Sequence, residues 1–389
     1  MNDNLDKSFQ ATRELFPHAG KIVYFNSASY GPFSTPVKEA IEENIDVRID
    51  AGTDDTPGVM DIQNELRSDY AELIGASSRE VGIGMNTTFG LNIAAFGLPL
   101  EEGDEVLLSD VEFPALAYTW RAASEERQLN LRFIKSTDRC FDIANFEQAI
   151  TDRTRILALS FVQYFNGYKN DLATIGEICK EHDIFFVVDG IQGMGVEPIN
   201  VRELGIDIFS SGCQKWMLGP QGCGFFYLPD HIRDRLKHPF MGWLGADWGM
   251  NFCDLFKYQL PYFDSARRFE MGYYAALNIL GMKASVKIFQ NLGIENIRRH
   301  NYALIDRLAN YIGGNSFYST ASIMDPEHRS SIFAFRCAPL DELYQRIHEN
   351  RIILSKREGA IRVSVHLFNN EEDIDRLIAV LDDFASKNG

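Results

Sequence analysis

Between residues 80 and 228 short apolar runs alternate with longer stretches of helical period. The runs are Glu80–Met85, Glu105–Ser109, Asn130–Ile134, Arg155–Phe161, Ile184–Asp189, Ile206–Ser210 and Gly224–Leu228. Thr88–Gly97, Ala115–Arg127, Ile143–Ile150 and Leu172–His182 read as helices between them. Strand–helix alternation predicts an α/β fold with a mostly parallel seven-stranded sheet, covered on both faces. Ligands of such sheets bind beyond the carboxyl ends of the strands.

The flanks differ. Residues 1–20 read as a short amphipathic helix and lead-in, and Lys21–Phe25 as a strand before a Gly31-Pro32 turn. Residues 36–75 read as helices broken by a polar loop at 51–58. A long helix is expected over Ala275–Leu292 and another near Ile297–Ile312. Strands at Ser331–Arg336, Ile352–Ser355 and Ile361–His366 and a closing helix over Glu372–Ser386 complete a small α+β unit. The expected division is an N-terminal segment over 1–20 that packs with the small domain, a large domain over 21–290 and a small C-terminal domain over 291–389.

Chemistry concentrates at the strand ends. Asp189 closes FFVV, and Lys215 sits in SSGCQKWMLGPQG, where no other residue from Ser210 to Tyr227 is charged. A lone Lys in a tight apolar turn is set for a lowered pKa, although most lysines in loops are solvated. A buried carboxylate needs a cationic partner, although an Asp after a strand can simply cap a helix. Together the two suit pyridoxal phosphate: the amine bonds the aldehyde and the carboxylate holds the pyridinium proton. Thr87 and Thr88 open a helix after a strand, which makes either an ordinary cap or a phosphate site. Phe113 could stack on a planar group or pack in the core. Arg362 alternates with Ile361 and Val363, either gripping a carboxylate or facing solvent.

The net charge is −17 and no apolar run is long enough to span a bilayer. Nucleic acid and membrane are therefore not expected partners. Six scattered Cys form no metal-binding spacing, no metal site is expected, and reduced thiols fit a cytoplasmic protein. The polar N-terminus does not read as a secretory signal. DGIQGMG lacks the GxGxxG spacing of a dinucleotide loop.

The ordered set NTTFGLN, EFP, SFVQYFNG, VVDGIQ, CQKWMLGPQGCG, RRFEMG and RVSVHLFNN resembles the class V aminotransferases, fold-type I pyridoxal phosphate enzymes. That group includes cysteine desulfurases, kynureninase and isopenicillin N epimerase-like proteins. The resemblance runs from YFNSASYGP to IRVSVHLFNN and implies the aspartate aminotransferase-like fold and a homodimer with its sites at the interface. It implies Lys215 as Schiff-base Lys and proton shuttle, and Asp189 as pyridinium partner. It implies Gln192 near the cofactor's phenolic oxygen, with Gln163 in a segment that also reaches it, though Tyr164 could be the matching residue. It implies Thr87 and Thr88 at the phosphate, Phe113 on the ring, Gln214 at the phosphate, Tyr273 toward the partner subunit's phosphate, and Arg362 on the substrate carboxylate. Gly212 is taken as cofactor-binding, and Ser29 and Tyr30 as substrate-binding.

The departures narrow the chemistry. Desulfurases carry a nucleophilic Cys on a loop before the RxS strand, whereas IILSKREGAIRVSV has none and leaves little room for that loop. Cys337 lies too early, and Phe113 stands where desulfurases have His. The expected function is an aminotransferase acting on an amino acid. The alternatives are epimerase or racemase, C–S or C–C lyase, and a non-catalytic binding protein on the same fold. The aromatic stretch 240–274 is expected at the dimer interface and substrate pocket, favouring a bulky or apolar side chain.

Overall fold

In a computed structural model the protein is described over residues 3–52, 56–249 and 251–388. Of the loop expected at 51–58, residues 53–55 lie outside the described residues. The chain opens with α1 (Asp3–Glu14), β1 (Val23–Tyr24), α2 (Thr35–Ala51) and α3 (Thr56–Ile74). It alternates through β2 (Val81–Gly84), α4 (Thr87–Gly97), β3 (Glu105–Ser109), α5 (Pro114–Arg127), β4 (Asn130–Ile134), α6 (Ile143–Ala149), β5 (Thr154–Ser160) and α7 (Leu172–Glu181). Then come β6 (Phe185–Asp189), β7 (Ile208–Gly212), β8 (Gly224–Tyr227) and the short α8 (Asp230–Arg233). After an irregular stretch follow α9 (Ala276–Leu292), α10 (Ile294–Gly314), β9 (Ser319–Thr320), β10 (Ile332–Arg336) and α11 (Leu340–Glu349). Last are β11 (Ile352–Ile353), β12 (Ser355–Arg357), β13 (Ala360–Ser364) and α12 (Glu371–Asn388).

The large sheet has seven strands in the order β2-β8-β7-β6-β5-β3-β4, and only β8 runs against the rest. The predicted strands and helices are all present, with ends shifted by a residue or two. Alternating side chains divide its core, as strand geometry demands. Leu107, Leu157, Leu159, Phe186 and Val188 pack on one face, with residues of α3, α7 and α9. Val106, Leu108, Ile156, Ala158, Phe185 and Val187 pack on the other, against α4 and α5. Side-chain caps start three crossover helices: Asn86 accepts from the Phe89 N–H, Asp142 from Asn145 and Asp171 from Thr174. Asn86 turns the chain into α4 directly after β2, whereas Asp142 and Asp171 cap their helices after longer loops.

The second sheet is antiparallel, in the order β12-β13-β10-β9. The stretch read as one strand over Ile352–Ser355 divides in two: β11 pairs in parallel with β1, and β12 turns over to pair with β13. The core of this layer joins Phe333, Phe335, Ile361, Val363 and Leu377 with Val23 and Phe25 from the start of the chain. Arg13 of α1 grips Asp373 of α12 through two bonds of 2.7 and 3.0 Å.

Candidate active site

The carboxyl ends of β6 and β7 and the start of α4 meet beneath β13 at a cavity of about 310 Å³. Ser29, Tyr30, Thr87, Thr88, Phe113, Asp189, Gln192, Gln214, Lys215 and Arg362, ten of the residues singled out in the sequence, line it. Gly212 lies just behind the wall. Gln163 is fully buried and does not line the cavity, because its Nε2 donates to Glu112 at 2.9 Å, whereas Tyr164 does line it. Tyr273 lies away from the cavity, half-exposed against Trp243, and none of the described residues of 240–274 lines it. The expected contribution of that stretch to the pocket is therefore not made within one chain, since its aromatics pack on one another.

Asp189 ends β6 opposite Ser160 of β5, buried on every side. Burial pushes its carboxyl up to about 6, against the pull of the Ile191 N–H at 3.0 Å and of Lys215. Burial likewise brings the Lys215 amine down to about 8; Asp189 opposes this, and Arg362 and Arg357 add to it. Lys215 Nζ lies 5.3 Å from the centre of the Phe113 ring. The turn that carries Lys215 is held close by Gly31, whose N–H donates to the Gln214 carbonyl at 2.8 Å. A Cβ at Gly31 would stand 2.2 Å from the Lys215 carbonyl oxygen, so only glycine fits.

Gln192 is fixed at both ends: Oε1 accepts from Trp216 Nε1 at 2.8 Å and Nε2 donates to the Ala28 carbonyl at 3.2 Å. One amide hydrogen is left for a ligand. Beneath it Glu112 bonds Ser160 Oγ closely, accepts from the Ser160 N–H at 3.2 Å and from Gln163. Burial lifts the Glu112 carboxyl to about 7; its hydrogen bonds pull it down and Asp189 adds a further lift. Glu112, Asn86 and Arg357 were not picked out from the sequence. Each sits in a polar turn, where spacing carries no signal of direction.

The residues fit pyridoxal phosphate. Thr87 Oγ1 is buried without a partner at the start of α4, where its hydroxyl and free N–H groups can donate to an anion; Gln214 Oε1 beside it is an unpartnered acceptor, so Gln214 would meet an anion through its Nε2. A Cβ on Gly212 would come within 2.5 Å of Gln214 Oε1 and 3.3 Å of Thr87 Oγ1, so its absence keeps the cradle open. Asp189 lacks a close cationic hydrogen-bond donor, and Lys215, brought down to about 8, reaches its neutral form more readily than a solvated amine.

Arg362, on β13, is buried and reaches Ser355 Oγ at 3.0 Å, the Tyr164 carbonyl at 2.5 Å and Ser29 Oγ at 2.6 Å. The half-exposed alternative is thus excluded. Ahead of it, Glu358 and Gly359 form a two-residue turn with φ of 49° and 76°, the type I′ geometry of a tight hairpin. No cysteine lines the cavity among the described residues.

A larger cavity of about 510 Å³ opens at the opposite edge of the sheet. Arg202 and Glu80 in its wall pair at 2.5 Å, and His231 Nε2 lies 3.8 Å from Asp207.

The profile of the family described as Aminotransferase class-V matches residues 54–377. An uncharacterized aminotransferase of Bacillus subtilis, YcbU, is 27% identical over 375 residues, covering 96% of this chain and 97% of that protein. A probable cysteine desulfurase of Methanothermobacter thermautotrophicus is 25% identical, covering 93% and 94%. Among solved structures, C-DES, a cystine C–S lyase, in a mutant with glycine covalently linked to its pyridoxal phosphate, superposes with a TM-score of 0.88. It is 24% identical and covers 95% of this chain and 99% of its own, which establishes the fold. The family uses pyridoxal phosphate. With a match across most of its length and a cavity built for that cofactor, this chain belongs to the class V aminotransferase family.

Proposed function

We propose that the protein is an aminotransferase acting on an α-amino acid. The observation that carries this reading is the meeting of Lys215, Asp189 and Arg362 around one cavity. Pyridoxal phosphate, when bound, supplies an electron sink that makes the substrate Cα–H bond acidic. Asp189 would hold the proton on the ring nitrogen, and the start of α4 with Thr87, Thr88 and Gln214 would hold the phosphate. Phe113 would lie against the ring, and the Gln192 amide hydrogen left free would be available to it. Arg362 would hold the substrate carboxylate in the cavity that Lys215 also lines. Lys215 is the base that removes the Cα proton, aided by a pKa brought down toward neutrality.

A persulfide-forming cysteine has no place in this reading, because the I′ turn at Glu358-Gly359 leaves no loop to carry one. A homodimer fits the exposed Trp243, Phe252, Leu255, Phe256 and Tyr258, which a partner would cover.

The test is product analysis with a panel of amino acids and an α-keto acid acceptor. Keto acid formed in step with new amino acid supports the proposal. Deuterium uptake at Cα without keto acid indicates an epimerase, and sulfide or pyruvate release without an acceptor indicates a lyase. Lys215→Ala is expected to lose the visible absorption of the lysine-bound cofactor and to slow turnover by roughly 10²–10⁴-fold or more.

A further inference from the structure

We propose that Arg357 is a second anion-binding residue, and that the site takes an amino acid with an acidic group on its side chain. The inference rests on the aminotransferase reading for the role of Arg362, and adds the substrate class.

Arg357 is the last residue of β12, and Arg362 lies across the hairpin on β13. Both line the cavity. Their guanidinium groups converge on one hydroxyl: Ser29 Oγ accepts from Arg362 Nη2 at 2.6 Å and from Arg357 Nη2 at 3.3 Å. The other contact of Arg357 is from Nη1 to the Lys356 carbonyl at 2.8 Å. Every protein partner of the two arginines is thus a neutral oxygen, and neither is paired with a carboxylate among the described residues. The neighbouring acid, Glu358, does not line the cavity and is held by Arg139 at 3.3 Å and the Tyr164 hydroxyl at 3.1 Å.

Two like charges held together without a counter-ion are costly. The strain is visible on Arg362, which burial and then Arg357 bring down to about 9. The other charges of the site are assigned already: Asp189 answers the ring nitrogen, and α4 answers the phosphate. An α-carboxylate answers Arg362. A substrate with a neutral side chain leaves Arg357 unanswered, whereas a side-chain carboxylate or sulfinate completes the balance. Arg also presents a planar fork suited to carboxylate. The hairpin fixes it, since a two-residue turn allows little play between residues 357 and 362.

Binding is measured first, without turnover. The holoenzyme is titrated calorimetrically with succinate and with butyrate at constant ionic strength. Succinate is expected to bind roughly 10- to 100-fold more tightly, the range of one charged hydrogen-bonded pair. Arg357→Gln is expected to remove most of that ratio, and Arg357→Lys to keep part of it. In turnover, the ratio of kcat/KM for glutamate over norvaline should fall in the same order. Equal wild-type binding of the two acids overturns the proposal. So does an equal loss for both in Arg357→Gln, which would make Arg357 a second grip on the α-carboxylate. Thermal melting of each variant identifies one that fails to fold, and Arg357→Lys then carries the test. The succinate ratio does not depend on transamination: a holoenzyme that prefers succinate but yields no keto acid overturns the aminotransferase reading alone.

Discussion

Lys215 and Asp189 shift in opposite directions for one reason, burial, and each charge partly rescues the other. That mutual dependence is testable in the cofactor-free protein. Only the neutral amine attacks a carbonyl, so Lys215 should react with a small aldehyde at a rate that rises with pH and levels off above about 8. Asp189, brought up to about 6, is ionised at that pH and stabilises the ammonium. Asp189→Asn removes the anion, and the midpoint should move to lower pH. Aldehyde trapping with borohydride, followed by mass spectrometry across pH, reads the midpoint. An unchanged or higher midpoint would show that the two groups are not coupled.

The hairpin of β12 and β13 positions both arginines, and its turn depends on Gly359 at φ 76°. A Cβ there meets no neighbouring atom, so the effect of Gly359→Ala is conformational alone. It should cost roughly 1–2 kcal/mol in urea unfolding, with Gly359→Asn milder because Asn tolerates the left-handed region. Larger elements were legible because five strands of the main sheet are apolar runs ended by Gly, Ser or Asp, and α4, α6 and α7 start at capping residues. Lys215, Asp189 and Arg362 stood out as charges inside such runs. Arg357 did not, because KREG reads as an ordinary polar turn and only the register across the hairpin turns Arg357 toward Arg362. Gln163 and Tyr164 could not be separated by sequence, since the segment after β5 is not a strand and has no alternation to assign a face. The aromatics of 240–274 are dense but aperiodic, so the sequence assigns them no face; within one chain several pack on one another.

Across the whole molecule, His366 joins the two sheets at the active site. It follows β13 and is fully buried, with Nε2–H donating to the Trp216 carbonyl at 2.7 Å, one residue past Lys215. Its Nδ1 accepts from the Leu367 N–H at 2.8 Å. Both ring nitrogens are thus satisfied only in the neutral form. Protonation would set a second N–H against the Leu367 donor. Burial is the main cause that brings its pKa down to about 3, with the Trp216 bond opposing and His300 assisting. The unfolded chain takes up a proton near 6.5, whereas the folded protein does not until about 3. Stability from this residue is therefore present above pH 6.5 and lost as pH falls toward 3. Wild type should lose about 2 kcal/mol relative to His366→Asn between pH 7 and pH 5, at about 1.4 kcal/mol per unit below the unfolded pKa. Other titrating groups are common to both proteins and cancel in that difference. Urea unfolding of the two at each pH measures it, and a difference that stays constant would mean that the folded protein accepts a charged imidazole between its sheets.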